Sequence, residues 1–218
     1  MGLPPAERPV QGLDSALKRE SLTVGIDLDG VLGDQVADVL PRIKRRLGID
    51  LAWEHITEFR LPLGSSDLAG EILLAQQDPD YLLDMPVHPG AVDLVNELRR
   101  RYRVLLVTAR PDVSRTLTER WLERPAFSFD DVISATEEQK SLYGADVLID
   151  DYTNNVKEFL ERSSGLGILV DRPWNRVDRI KLRSWFDGPR FAVVTSLQVI
   201  PFLVDTFAAQ RQLPTLLH

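Results

Sequence analysis

Short apolar runs, each closed by polar or acidic residues, alternate with stretches of helical spacing along most of this chain. Residues 22–28 form a β-branched run that stops at Asp29-Gly30, which reads as a buried strand ending in a turn. Residues 104–108, 147–150 and 167–170 repeat the pattern, and residues 131–134 and 191–195 do so more weakly. Between them, residues 91–102, 114–122, 154–162 and 197–210 read as helices. Strands alternating with helices predict an α/β fold, a doubly wound, Rossmann-like parallel sheet covered on both faces.

Residues 35–85 break this alternation. Helical spacing over residues 36–47 ends in the basic residues Arg42, Lys44, Arg45 and Arg46, where cations suit the helix dipole, and Gly48 reads as the stop. Residues 53–59 and 67–77 read as two more short helices, and no strand is expected. The pattern predicts a small helical cap at 35–85, inserted after the first strand. The α/β core then comprises residues 21–34 and 86–218. Residues 1–20 contain Pro4, Pro5 and Pro9 and read as a loose tail with at most a short helix at 14–19.

A length of 218 residues suits one domain with such an insertion, and 44% hydrophobic residues supply enough apolar material for a sizeable core. The net charge of −7 argues against polymeric nucleic acid as a partner, although one phosphate can bind where cations are local or a metal bridges the charge. The lack of cysteine excludes disulfides and thiolate chemistry. No signal-peptide core precedes the first strand, and no run approaches the roughly 18 apolar residues of a membrane span. These features fit the cytoplasm and no membrane.

Three of the expected strands end in groups with chemistry: Asp27 and Asp29, Thr108, and Asp150 with Asp151. Ligands of open parallel sheets bind beyond the carboxyl ends of the strands, so these residues would converge. The carboxylates suit Mg²⁺, which prefers oxygen ligands and is commonly held by one or two carboxylates together with substrate phosphate. A carboxylate can attack phosphorus to give an aspartyl-phosphate, and a second acid then protonates the leaving oxygen and later activates water. Asp29 is placed for the second role. Thr108 could donate to the phosphoryl oxygens, and Lys140 could supply positive charge in the transition state. Each residue also has a plain structural reading. A D-x-D after a strand is often a turn, and Asp150-Asp151 before Asn154-Asn155 suits capping. Thr108 could simply end a strand, and Lys140 could be solvated. The order and placement of the four together favour a site.

The same residues resemble the haloacid dehalogenase superfamily of aspartyl phosphatases. Asp27-Leu28-Asp29-Gly30-Val31-Leu32 resembles its first motif, Thr108 its second, Lys140 its third and Asp150-Asp151 its fourth. The resemblance implies Asp27 as nucleophile and metal ligand. It implies Asp29 as general acid/base that gives its backbone carbonyl to the metal, and Asp151 as the third protein ligand with Asp150 in support. Within the superfamily the chain is most similar to the 5′(3′)-deoxyribonucleotidase group, through residues 27–34, 86–91, 108–111, 140–151 and 171–175. That implies a nucleoside monophosphate substrate with the cap over the base, and Gln35, Ala109 and Arg110 at the substrate. The group tends to carry an aromatic after the acid corresponding to Asp34, where this chain has Gln35; Trp53, Phe59 and Tyr81 are the candidates to replace it. Arg110 reads equally as a phosphate or substrate contact, or as a residue that caps a helix or pairs with an acid, and residues 171–175 as a pocket border or a rigid turn with a packed tryptophan. Two alternatives stay open: a phosphatase for a sugar phosphate or another small metabolite, and a non-catalytic phosphoryl-binding module. A homodimer is a further expectation, because cap or C-terminal helices often pair.

Overall fold

The sheet is built outward in both directions from its first strand. A computed structural model of the protein describes residues 22–135, 144–181 and 188–212. Its main sheet comprises β1 (Thr23–Asp27), β4 (Arg103–Thr108), β5 (Asp131–Ser134), β6 (Val147–Asp150), β7 (Leu166–Val170) and β8 (Phe191–Val194). These lie in the order β5-β4-β1-β6-β7-β8, and every neighbouring pair is parallel. The chain runs from β1 through β4 to β5 on one side, then returns to lay down β6, β7 and β8 on the other. The direction of winding therefore reverses at β1, and a crevice opens at such a point beyond the strand ends.

Strand side chains alternate between two helical layers. Val147 and Ile149 of β6 join the cluster filled by α4 (Ala91–Arg99) and α8 (Ile200–Gln212), while Leu148 joins Val156, Phe159 and Leu160 of α6 (Thr153–Arg162). Burial on both faces explains why these strands read as continuous apolar runs rather than alternating ones. The remaining core helices are α5 (Arg115–Glu123) and α7 (Arg176–Lys181). This is the doubly wound α/β fold that the periodicity predicts.

The segment between β1 and α4 packs around its own apolar cluster. It contains α1 (Gln35–Leu47), α2 (Leu68–Ala75) and α3 (Pro79–Asp84). Val36, Val39, Ile43, Ile56, Leu63, Leu68, Ile72 and Leu82 meet there, joined from the core by Trp174. The Asp34 side chain accepts from Ala37 N at 3.0 Å and starts α1; Gly48, at φ +71°, ends it. The segment leaves and re-enters the core at one place. Asp34 N donates to Pro86 O and His88 N to Leu32 O, both at 2.8 Å.

Two expectations for this segment need correction. Where no strand was expected, β2 (Pro62–Leu63) and β3 (Ser66–Asp67) form a small antiparallel hairpin. Gly64 turns it at φ +71°, and two-residue strands are too short to show alternation. The helix expected over 53–59 is a single 3₁₀ turn at Trp53–His55, because the β-branched Ile56 leaves it for extended backbone. Helix α3 was not anticipated. Its start is nonetheless chemically marked, since the Asp78 side chain accepts from Asp80 N at 3.1 Å and Pro79 occupies the first turn.

Candidate active site

Asp27 is the last residue of β1, opposite Val107 of β4, and Asp150 is the last of β6. The reversal of winding at β1 thus brings strand ends 123 residues apart in sequence side by side. Ligand oxygens of Asp27, Asp150 and Asp151 lie within 4.8 Å of one another, and all three residues are buried. Three carboxylates this close repel one another in a medium of low dielectric. Hard oxygen donors at this spacing fit a hard divalent cation such as Mg²⁺, whose charge would offset that repulsion. Asp150 is held at both of its carboxylate oxygens. Its two oxygens accept from Tyr152 N at 2.7 Å and from Asn155 Nδ2 at 2.9 Å, which fits the supporting place that the resemblance implies.

The loop after β1 folds tightly enough to hold these groups. Leu32 N and Gly33 N both donate to Leu28 O, at 3.0 and 2.8 Å, and Gly30 N donates to Gly33 O at 2.9 Å. Gly30 has φ +87°, a region that L side chains rarely adopt, and a Cβ at this position would overlap the Asp151 carboxylate. Glycine after the D-x-D is therefore required twice, by backbone conformation and by the close approach of an acid.

Asp29 is not a member of the carboxylate cluster. Its Oδ2 accepts from Arg110 Nε at 2.8 Å and its Oδ1 from Arg110 Nη2 at 2.6 Å, a two-pronged pair. Arg110 also donates from Nη1 to Thr118 Oγ1 at 3.2 Å and lies over the Trp121 ring, 5.3 Å from its centroid. Arg110 is thus paired with an acid and also lines the cleft described next. Thr108 closes this corner, accepting from Arg110 N at 3.1 Å. Thr108 does not line the cleft described next. Lys140 and the tail at residues 1–20 lie outside the described residues.

A cleft of about 450 Å³ opens above Asp27, Asp29 and Asp151. Ala109, Arg110, Tyr152, Asn155 and Trp174 line it from the core, and Gln35, Phe59, Arg60, Asp67 and Gln76 from the 35–85 segment. Its size falls in the usual range for small-molecule sites, about 300–1,000 Å³. Gln35 and Gln76 are buried amides at this surface. Of the three aromatic candidates only Phe59 reaches the cleft, with its ring 6.2 Å from that of Tyr152. Trp53 packs against Trp174 instead, and Tyr81 is buried with its hydroxyl donating to Gln35 O at 2.8 Å. Burial, and then the charges of Asp29 and Asp38, raise the Tyr81 pKa well above its ordinary value, so it is a neutral donor.

The turn at 171–175 proves to be both pocket border and packed turn. Trp174 lines the cleft, is 3% exposed, and donates from Nε1 to Asp151 Oδ2 at 2.7 Å. Asn175 donates from Nδ2 to the carbonyls of Asp151 and Val170, both at 2.8 Å. Arg172 donates from Nε to Gly30 O at 2.7 Å. Burial, then the charge of Arg172, lowers the His88 pKa to about 4, so the ring is neutral at pH 7; its Nδ1 lies 3.7 Å from Asp34 Oδ2.

Comparison with known proteins agrees with this geometry. The family model described as "5' nucleotidase, deoxy (Pyrimidine), cytosolic type C protein" matches residues 20–198. The chain belongs to that family. It is thus a phosphoric monoester hydrolase of the 5′-nucleotidase type, within the haloacid dehalogenase superfamily. A Staphylococcus aureus relative of this nucleotidase, named "Putative 5'(3')-deoxyribonucleotidase", is 24% identical over 173 residues, covering 78% of this chain and 94% of its own. Two solved structures share the fold. A haloacid dehalogenase-like hydrolase of Streptococcus pneumoniae is 15% identical, with a TM-score of 0.57, covering 84% of this chain and 98% of its own. The "putative HAD-hydrolase YfnB" of Bacillus subtilis, solved bound to magnesium, is 14% identical, with a TM-score of 0.55, covering 85% and 99%. Among the described residues of this nucleotidase, no helix is long and apolar enough to cross a membrane.

Proposed function

We propose that this nucleotidase is a Mg²⁺-dependent phosphomonoesterase that removes phosphate from (deoxy)nucleoside monophosphates through an aspartyl-phosphate on Asp27. The observation that carries the reading is the convergence of Asp27, Asp150 and Asp151 within 4.8 Å at the floor of a cleft of small-molecule size.

Asp27, Asp151 and the Asp29 carbonyl would hold the metal, with Asp150 in support. When bound, the metal supplies positive charge that lets an anionic carboxylate approach an anionic phosphoryl group. A carboxylate oxygen of Asp27 attacks phosphorus, and the bond from phosphorus to the leaving oxygen breaks. Asp29, in its protonated form, gives that oxygen its proton. Asp29 then removes a proton from water as the water attacks phosphorus, releasing phosphate and regenerating Asp27. In the resting chain both oxygens of Asp29 accept from Arg110, so Asp29 must exchange at least one of those bonds to reach the leaving group. Thr108 and Lys140 complete the proposed catalytic set, the first at the phosphoryl oxygens or in holding the 108–110 turn, the second as a cation in the transition state.

Residues 35–85 act in this reading as a cap, and its polar and aromatic face supplies recognition. Gln35 and Gln76 offer both donors and acceptors, which suits the edge of a base. Phe59 and Tyr152 offer ring faces, and stacking on an aromatic is worth roughly 1–3 kcal/mol per base in other systems. A planar base can use both the ring faces and the amide groups, so this surface favours a nucleotide over a sugar phosphate.

The test is phosphate release from a panel of nucleoside monophosphates and sugar phosphates, with Mg²⁺ and with EDTA. Turnover of a few nucleotides that disappears with EDTA is expected. Equal or faster turnover of sugar phosphates would replace the substrate class. Asp27→Asn should lower kcat by about 10³-fold or more while the chain stays folded. Retained activity would remove Asp27 from the role of nucleophile.

A further inference from the structure

The turn at 171–175 performs no step of the chemistry above, yet it is built around Asp151. The Trp174 indole N–H holds Asp151 Oδ2 at 2.7 Å, and Asn175 holds the Asp151 carbonyl at 2.8 Å. The carboxylate packs against the Gly30 backbone, where a Cβ would overlap it. The Trp174 bond and the close Gly30 backbone therefore restrict this side chain, while Asn175 fixes its backbone. The rest of the indole faces away from the acid and belongs to the apolar cluster of the 35–85 segment. There it meets Trp53 edge to face, with centroids 5.9 Å apart and planes at 74°. The Trp53 Nε1 is itself buried with no hydrogen-bond partner among the described residues, and its ring packs in the apolar cluster of the 35–85 segment.

One ring thus touches an acid of the carboxylate cluster at its polar edge and the interior of the inserted segment at its apolar edge. We propose that Trp174 is a positioning residue for the cation site, fixing the Asp151 carboxylate through its N–H while Trp53 fixes the indole, so that Mg²⁺ affinity depends on how the 35–85 segment is seated. The inference rests on reading Asp27, Asp150 and Asp151 as that site. Hydrogen-bond partners of ligating carboxylates commonly change metal affinity by about 10–100-fold when removed, because the freed ligand must be re-ordered on binding.

Calorimetric titration of the whole chain with Mg²⁺, without substrate, tests this. Trp174→Phe keeps a ring in the apolar cluster and loses only the donor. It should weaken Mg²⁺ binding by about 10–100-fold. Trp53→Leu leaves both partners of the bond in place and removes the buttress. It should weaken binding by a smaller factor, up to about tenfold. Because residue 53 touches no carboxylate, this second variant keeps the inference testable should Trp174→Phe fail to fold. Wild-type binding with either variant unchanged would overturn the inference and leave the metal site standing. A wild-type chain that binds no Mg²⁺ would overturn the metal site, and the inference with it.

Discussion

Arg110 holds both oxygens of Asp29 while its own side chain is only 1% exposed. Thr118 and the Trp121 ring fix the guanidinium from behind, so the fork presents Asp29 in one orientation. A residue that binds phosphate would act chiefly on KM, whereas one that aims Asp29, the proposed general acid, would act chiefly on kcat. The geometry favours the second. Arg110→Gln should lower kcat by about 10–100-fold, since small misplacements of a reacting group have effects of that size. KM should change by less than about threefold, as steady-state kinetics on the best nucleotide would show. The same variant leaves Asp29 largely buried without its cation, and urea unfolding should show a loss of about 3 kcal/mol. Arg110→Lys keeps the charge but not the fork, so it should recover stability more than kcat.

At the level of elements, α5 and the turn that leads into it fasten the inserted segment to the core. Trp121 donates from Nε1 to Met85 O at 2.9 Å, and Ser114 donates from Oγ to Gln76 O at 2.7 Å. Trp121→Phe removes a buried donor and leaves the Met85 carbonyl without it, so unfolding by urea should show a loss of about 1–2 kcal/mol. None of these ties was legible in the sequence, although the elements they join mostly were. The core strands could be read because a doubly covered sheet demands unbroken apolar runs, as at Val104–Val107 and Leu166–Val170. Their acidic ends could be read because parallel sheets gather ligands there. The β2–β3 hairpin and α3 were too short for periodicity to register. Arg110 could be narrowed to a phosphate or substrate contact, a helix cap or an acid partner, but its pairing depended on a contact across 81 residues. The bond from Trp174 to Asp151 likewise joins separate strand ends, and the only local signal was a tryptophan in a turn that also carries proline.

For the molecule as a whole, the half-buried Asp38 and the buried His88 set opposing pH dependences. Burial, then the charge of Asp84, raises the Asp38 pKa from 3.8 to about 6. The unfolded chain therefore releases this proton first, and Asp38 lowers stability progressively as pH rises from about 4 to 6. His88 acts the other way. Its pKa falls from 6.5 to about 4, so the unfolded chain takes up this proton first, and stability is lost as pH drops from about 6.5 to 4. At roughly 1.4 kcal/mol per unit, His88 accounts for about 3 kcal/mol. Asp38 is only partly buried, and solvent screening reduces its share to about 1–2 kcal/mol. Variants separate the two, and comparison with wild type at each pH cancels the titration of the Asp27 cluster. Asp38→Asn should melt with wild type at pH 4 and about 3–6 °C above it at pH 7. His88→Gln should be less stable than wild type at pH 7, through lost packing, and should close that gap by about 6–12 °C at pH 4. Thermal melts in EDTA across this range would check both. A constant gap for His88→Gln would mean that the ring accepts a proton in the folded chain, and that the loop above it yields to let it do so.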